Sequence, residues 1–231
     1  MTRTIGMIGG MSWESTACYY RLANELVAQR LGGLHSAPVL LSSLDFAPIE
    51  AMQVAGEWDR AGRLLADEAV RLQSAGAELL LLCTNTMHKV AGAIEQACDI
   101  PLIHVADVTA QAALRQGSRR VALLGTAFTM EQDFYRERLE QHGLQVLAPE
   151  ATDRALVHRV IYEELCRGVL RDDSREAYRQ VISRMVDRGC DGVVLGCTEI
   201  EMLLTASREC GVPLFPTTRL HVEAAVDLAC A

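Results

Sequence analysis

Two of the eight cysteines stand where a chain prepares a side chain for chemistry. Cys83 closes the apolar run Leu79-Leu80-Leu81-Leu82 and is followed by Thr84-Asn85-Thr86-Met87. Cys197 closes Gly192-Val193-Val194-Leu195-Gly196 and is followed by Thr198-Glu199, 114 residues further on. An apolar run this short, bounded by small polar residues, reads as a buried strand of a parallel sheet. Ligands of open α/β sheets bind just beyond the carboxyl ends of such strands. A lone cysteine there is ordinarily a small buried hydrophobe. Two at matching places, each followed by a threonine and then by a carboxamide or carboxylate, argue for function. A strand-to-helix junction offers backbone N–H groups and a positive helix end, so a lowered pKa is expected for both thiols.

Two thiols on opposite walls of one cleft suit a particular task. Removing a proton from one face of a carbon and returning it to the other needs two bases, one thiolate and one thiol. A disulfide exchanger would keep its cysteines adjacent, and a cysteine hydrolase needs one thiol with a histidine orienter. Thr84, Asn85 and Thr198, with nearby backbone N–H groups, suit a carboxylate and the charge that develops beside it. The chemistry implied is racemisation or epimerisation next to a carboxylate.

The elements that must position these residues follow from the pattern. Thr4 to Ile8 reads as a strand, Gly9-Gly10-Met11-Ser12 as a tight loop, and Trp13 to Arg30 as a helix with Ala17, Tyr20, Ala23 and Val27 on its apolar side. Pro38 to Leu44 is a second strand and Asp45 to Pro48 a loop. Glu57 to Ser74 is a helix with a Trp58, Ala61, Leu65, Ala69, Leu72 stripe, stopped by Gly76. A helix to about Cys98, a strand from Pro101 to Val105 and a helix from Val108 to Arg115 follow. The second half replays the first. Gly125 matches Gly9, Cys197 matches Cys83 and Pro213 matches Pro101, at offsets of 116, 114 and 112 residues. Helices at Ala155 to Arg167 and Ser174 to Arg188 complete it. The fold expected is α/β: two pseudo-symmetric lobes, each a small parallel sheet wrapped by helices, with the active site in the cleft between them. The lobes are 1–105 and 106–215; the C-terminal segment, 216–231, carries a final helix read from Leu220 to Cys230, which packs on the first lobe or the second.

Composition narrows the classes. A net charge of −8 over 231 residues argues against a nucleic-acid backbone as partner. No apolar run reaches the length of a membrane span. The glycine-broken start MTRTIGMIGGMSW does not read as a signal peptide, so reduced thiols in a cytoplasmic setting are expected. No cysteine pair has CxxC spacing and no histidine stands at metal-ligand spacing, so no metal is expected. Neither a lysine in a phosphate-binding context nor a glycine-rich phosphate cradle occurs, so no pyridoxal phosphate, nucleotide or other cofactor is expected.

The segments Gly9-Gly10-Met11-Ser12-Trp13-Glu14-Ser15, Cys83-Thr84-Asn85-Thr86-Met87-His88-Lys89, Met130-Glu131-Gln132-Asp133-Phe134-Tyr135 and Gly196-Cys197-Thr198-Glu199 resemble the aspartate/glutamate racemase family over essentially the whole chain. The resemblance implies a cofactor-independent two-thiol racemase, a homodimer, with Cys83 and Cys197 as the acid/base pair. It implies that Met11, Gln53, Thr84, Asn85, Thr86 and Thr198 line an amino-acid substrate. Aspartate-specific members resemble one another in an Arg after the second strand and a Lys on a second-lobe helix. Here Asp45-Phe46-Ala47-Pro48-Ile49-Glu50 contains no Arg, and the helix position holds Cys166, with Arg167 beside it. The chain is therefore closer to a broad-specificity branch that accepts neutral side chains such as homoserine, methionine or leucine. Arg167 and Arg60 remain as partners for an acidic substrate.

His88 either tunes Cys83, contacts substrate or braces the loop. Glu199 is an acid at a helix start or a substrate contact. Thr126 reaches the cleft or serves a turn. Trp13 and Trp58 are expected in the core or an interface. Cys18, Cys98, Cys166, Cys190, Cys210 and Cys230 are expected as packing residues. His35, His104, His142, His158 and His221 follow no usable spacing. Two other readings stay open: a decarboxylase or cis-trans isomerase on the same fold, and a catalytically silent amino-acid-binding protein.

Overall fold

The structure is a computed structural model that describes residues 2–206 and 208–231. The chain divides into two compact units, Met1–His104 with His221–Ala231, and Val105–Leu220.

The first unit runs β1 (Ile5–Gly9), α1 (Trp13–Leu31), β2 (Val39–Ser43), α2 (Phe46–Ala55), α3 (Trp58–Ser74), β3 (Leu79–Leu82), a 3-10 turn (Thr86–Val90), α4 (Ala91–Ala97) and β4 (Leu102–Ile103). Its strands are all parallel, in the order β2-β1-β3-β4. The pleat splits the leucines of β3 between two layers. Leu79 and Leu81 pack with Tyr19, Ala23 and Val27 on one face, and Leu80 and Leu82 with Leu65, Ala69 and Ile94 on the other. A strand buried on both faces has to be apolar throughout, which explains the unbroken leucine run.

The second unit runs α5 (Val105–Arg115), β5 (Arg120–Gly125), α6 (Ala127–Glu131), α7 (Asp133–Gln141), β6 (Gln145–Leu147), α8 (Ala151–Glu163), a 3-10 turn (Leu165–Arg167), α9 (Asp172–Asp187), β7 (Gly192–Gly196), α10 (Thr198–Leu203), β8 (Arg208–Glu209), β9 (Val212–Pro216) and the start of α11 (Thr217–Ala229). The strand order is β6-β5-β7-β9-β8, parallel except for the short edge strand β8. Val193 and Leu195 face one core and Val194 the other. The two units thus share one strand order, and β3 and β7 hold the same place in it. The rest of α11 belongs to the first unit, where Val222, Ala225, Val226 and Ala229 join the cluster against β1 and β3.

Several expectations need correction. Asp45 to Pro48 is not a loop: Asp45 caps α2, its side chain accepting from the Ala47 N–H at 3.3 Å. Pro48 is tolerated because first-turn N–H groups have no intrahelical acceptor. The apolar face of α1 is also displaced. Ala17 and Tyr20 are exposed, while Thr16, Tyr19, Leu22, Ala23 and Val27 are buried. Tyr19 turns inward because its hydroxyl has a partner there, the His221 Nδ1 at 3.0 Å. Trp13 is exposed, not core. Trp58 is half-buried under the Lys89 ammonium, 4.0 Å from the ring centroid. Cys210 is exposed in the β8–β9 turn rather than packed. The last helix begins at Thr217 instead of Leu220, and α8 at Ala151 instead of Ala155.

Candidate active site

In the first unit the candidate residues gather where β1 and β3 end. Cys83 is fully buried, and its N–H donates to the Ile8 carbonyl at 2.9 Å, which extends the β1–β3 ladder by one bond. The loop after β1 lies alongside it. Gly10 is required there: its φ is +92°, and an added Cβ would lie 2.0 Å from the Leu44 carbonyl oxygen. Ser12 caps α1 by accepting from the Ser15 N–H at 3.3 Å. The Ser15 hydroxyl in turn donates to the Cys83 carbonyl at 3.4 Å. Met11 is buried in one cluster with Ile49, Met52 and Met87. Gln53, on α2, is buried as well, and its Nε2 lies 3.0 Å from the Met87 sulfur. Among the described residues no donor reaches the buried Gln53 Oε1. Thr84, Asn85 and Thr86 are all buried at the turn that follows Cys83. The structure therefore brings Met11, Gln53, Cys83, Thr84, Asn85 and Thr86 together at one end of one sheet.

In the second unit Cys197 sits at the end of β7, in extended backbone, as the residue before α10. Its thiol donates to the Glu199 carboxylate, with Sγ to Oε2 at 2.9 Å. Thr198 is buried, and its hydroxyl oxygen accepts from the Thr218 hydroxyl at 3.0 Å. The Thr218 N–H donates to Glu201 Oε1 at 2.8 Å. Burial pushes the Glu201 carboxyl up to about 7, opposed by its bonds to Thr218. Thr126 caps α6, accepting from the Thr129 N–H at 3.3 Å, so its hydroxyl serves the turn.

The expected lowering of the two thiol pKa values is overturned. Burial pushes Cys83 far above the ordinary thiol range. Cys197 is raised by burial first, then by the Glu199 charge, by Cys166, and by donation to Glu199. The helix-end argument fails locally. A 3-10 turn follows Cys83 and a six-residue helix follows Cys197, so neither thiol faces the dipole of a long helix. Desolvation of a charged sulfur wins.

Thr218 was missed by sequence reasoning because the last helix was begun three residues late, and Glu201, on α10, because nothing in the sequence shows that it accepts from the Thr218 N–H. The repeat held the signal: at the offset that aligns Pro213 with Pro101, Thr217 and Thr218 fall opposite Val105 and Ala106, at the start of α5.

A chain of two parallel-sheet units with one topology, each with a buried Cys-Thr step after a central strand, falls by its likeness to known proteins in one class of isomerase, the racemases. The chain belongs to the Asp/Glu/Hydantoin racemase family, whose model matches residues 8–225. It is 51% identical to a Yersinia pestis protein described as a candidate Asp/Glu racemase, covering 99% of this chain and 100% of that one with a TM-score of 0.92. It is 31% identical to an aspartate racemase homologue from Pyrococcus horikoshii OT3, covering 100% of both chains with a TM-score of 0.86. It also matches the broad specificity amino-acid racemase RacX of Bacillus subtilis (strain 168), 22% identical over 149 residues. That match spans 63% of either chain, less than two thirds of the relative's length. No helix among the described residues is long and apolar enough to cross a membrane.

Proposed function

We propose that the protein is a cofactor-independent amino-acid racemase of broad specificity in which Cys83 and Cys197 work as a pair. The observation that carries the reading is the equivalence of β3 and β7: each ends in a buried cysteine followed by a buried threonine. One sulfur, as thiolate, takes the α-proton of the bound amino acid. The other, as thiol, gives its proton to the opposite face of the carbanion. The enzyme ends with the charge on the second sulfur, and the reverse reaction restores it.

Both thiols are held protonated by their surroundings before substrate arrives. The substrate ammonium supplies the charge that favours a thiolate. At Cys197 the thiol is held by its donation to the Glu199 carboxylate, 2.9 Å away. Gln53 Oε1 is a buried acceptor suited to the ammonium N–H groups. Thr84, Asn85, Thr86 and Thr198 supply donors for the carboxylate, where charge builds as the α-proton leaves. Met11 gives an apolar wall for the side chain.

Neutral side chains are favoured by what surrounds these residues. Cys166 lies close enough to Cys197 to raise its pKa, where an acidic substrate would call for a cation. Asp45 is committed to capping α2. Arg60 is exposed and paired with Glu57 at 2.9 Å, and Arg167 is exposed. Among the described residues none thus stands out as a bidentate partner for a distal carboxylate. The name of the RacX relative accords with this reading. A cytoplasmic homodimer is the setting we propose.

The test is proton NMR in D₂O with reduced protein and no added cofactor, on L-aspartate, L-glutamate, L-homoserine, L-methionine and L-leucine. Loss of the α-proton signal with growth of the D-enantiomer is expected, fastest for the neutral residues. Absence of exchange on every substrate would remove the racemase reading, and preference for the acidic pair would remove the specificity.

A further inference from the structure

Three histidines that the sequence left without a pattern meet in the first unit. The His88 ring centroid is 4.6 Å from that of His104 and 5.6 Å from that of His221. All three are buried. His221 Nε2 is 2.6 Å from the Ile103 carbonyl oxygen, which can only accept, so Nε2 carries a proton. Its Nδ1 therefore accepts from the Tyr19 hydroxyl at 3.0 Å. His88 Nδ1 lies 2.8 Å from the Thr84 carbonyl oxygen, so that nitrogen must also be the donor. With these nitrogens committed to carbonyls and a hydroxyl, the cluster is no metal cage, and among the described residues no group of His, Cys, Asp or Glu side chains could hold a metal ion.

The consequence lies in the turn after Cys83. Its two successive carbonyls are each held by a side chain: Cys83 O by the Ser15 hydroxyl, Thr84 O by the His88 ring. A planar trans peptide holds its N–H opposite its C=O. Fixing the Thr84 carbonyl therefore fixes the direction of the Asn85 N–H and the course of the chain through Thr84, Asn85 and Thr86. The rings of His104 and His221, each edge-on to His88, hold it in place.

We propose that His88 is a positioning residue: its Nδ1–H orients the Thr84–Asn85 peptide, and through it the polar turn beside Cys83. His88 touches backbone, not substrate, in this role. The assignment of the turn to substrate binding rests on the racemase reading, whereas the orientation of the peptide does not.

The experiment compares His88→Phe, which keeps a ring and loses the donor, with His88→Asn, whose amide nitrogen occupies the place of Nδ1. Nitrogen-15 NMR of histidine-labelled wild-type protein at neutral pH should show His88 as the Nδ1–H tautomer, its signal identified by its loss in His88→Asn. Amide exchange over residues 83–90 should quicken in His88→Phe and return towards wild type in His88→Asn. Turnover should fall about 10- to 100-fold in His88→Phe with the larger change in kcat, and His88→Asn should recover most of it. An Nε2–H tautomer, or exchange and turnover in His88→Phe equal to wild type, would overturn the proposal. Should wild-type protein racemise nothing, the tautomer and the exchange rates still decide the role of His88, and only the racemase reading falls.

Discussion

Mild acid is expected to destabilise the first unit through His221. This imidazole is fully buried, donates from Nε2 to the Ile103 carbonyl and accepts at Nδ1 from Tyr19. Burial, and then the proximity of His88, lower its pKa from 6.5 to about 3. Among the described residues, Tyr19 and His88 are the titratable groups whose rings contact it, and His104 in turn contacts His88. Between those two pH values the unfolded chain carries a proton at this residue and the folded chain does not. Stability is therefore complete above about pH 6.5 and is lost as the pH falls. At about 1.4 kcal/mol per pH unit, the loss is about 2 kcal/mol by pH 5 and about 5 kcal/mol by pH 3. Urea unfolding followed by circular dichroism, at a series of pH values between about 7 and 5, measures it as a falling midpoint. His221→Gln keeps an amide donor for Ile103 and removes the titration. Its stability is expected to be lower at neutral pH and to change less with pH, by up to one proton's worth of slope. His158 in the second unit, lowered by burial against the pull of Glu131, adds a slope of the same sign that this variant leaves intact. An identical pH slope in wild type and His221→Gln would refute the reasoning.

Other expectations follow from single contacts. Glu199→Gln removes the charge that, after burial, does most to raise the Cys197 pKa, so the alkaline rise of Cys197 reactivity towards an alkylating reagent should move to lower pH; a shift upward would contradict the assignment. Gln53→Leu removes the buried acceptor Oε1 and should raise KM more than it lowers kcat, which steady-state kinetics would separate. Gly10→Ala places a methyl 2.0 Å from the Leu44 carbonyl oxygen at a φ of +92°, and a thermal melt should show a large loss of stability or no folded protein.

How much of this was legible in the chain depended on where the signal lay. The strands were readable because a parallel strand buried on both faces has to be apolar throughout, as Leu79–Leu82 is. The repeat was readable because the same device recurred at Cys197, and one strand order in both units accounts for it. α2 was hidden because Asp45 and Pro48 are also turn residues, and only the bond from the Ala47 N–H identifies Asp45 as a cap. The α1 face was misjudged because the choice between Tyr19 and Tyr20 was made by His221, some two hundred residues away in sequence. The histidine cluster was invisible for the same reason: its members come from α11, the turn after β3 and the end of β4, and no local spacing links them. The thiol pKa values were misjudged because the cost of burying a charge depends on packing, which a motif does not display. The candidate residues after Cys83 and Cys197 were nameable in advance, whereas the Cys197–Glu199 bond and the Thr218–Thr198 pair required coordinates.

The two-thiol pair is tested most directly by measuring racemisation by Cys83→Ser and Cys197→Ser proteins beside wild type, on whichever amino acid the wild type turns over fastest. Each serine variant should keep its fold and lose on the order of 10²-fold or more in turnover, the scale of a positioned acid or base. Wild-type turnover in either variant would show that one sulfur suffices and would contradict the account.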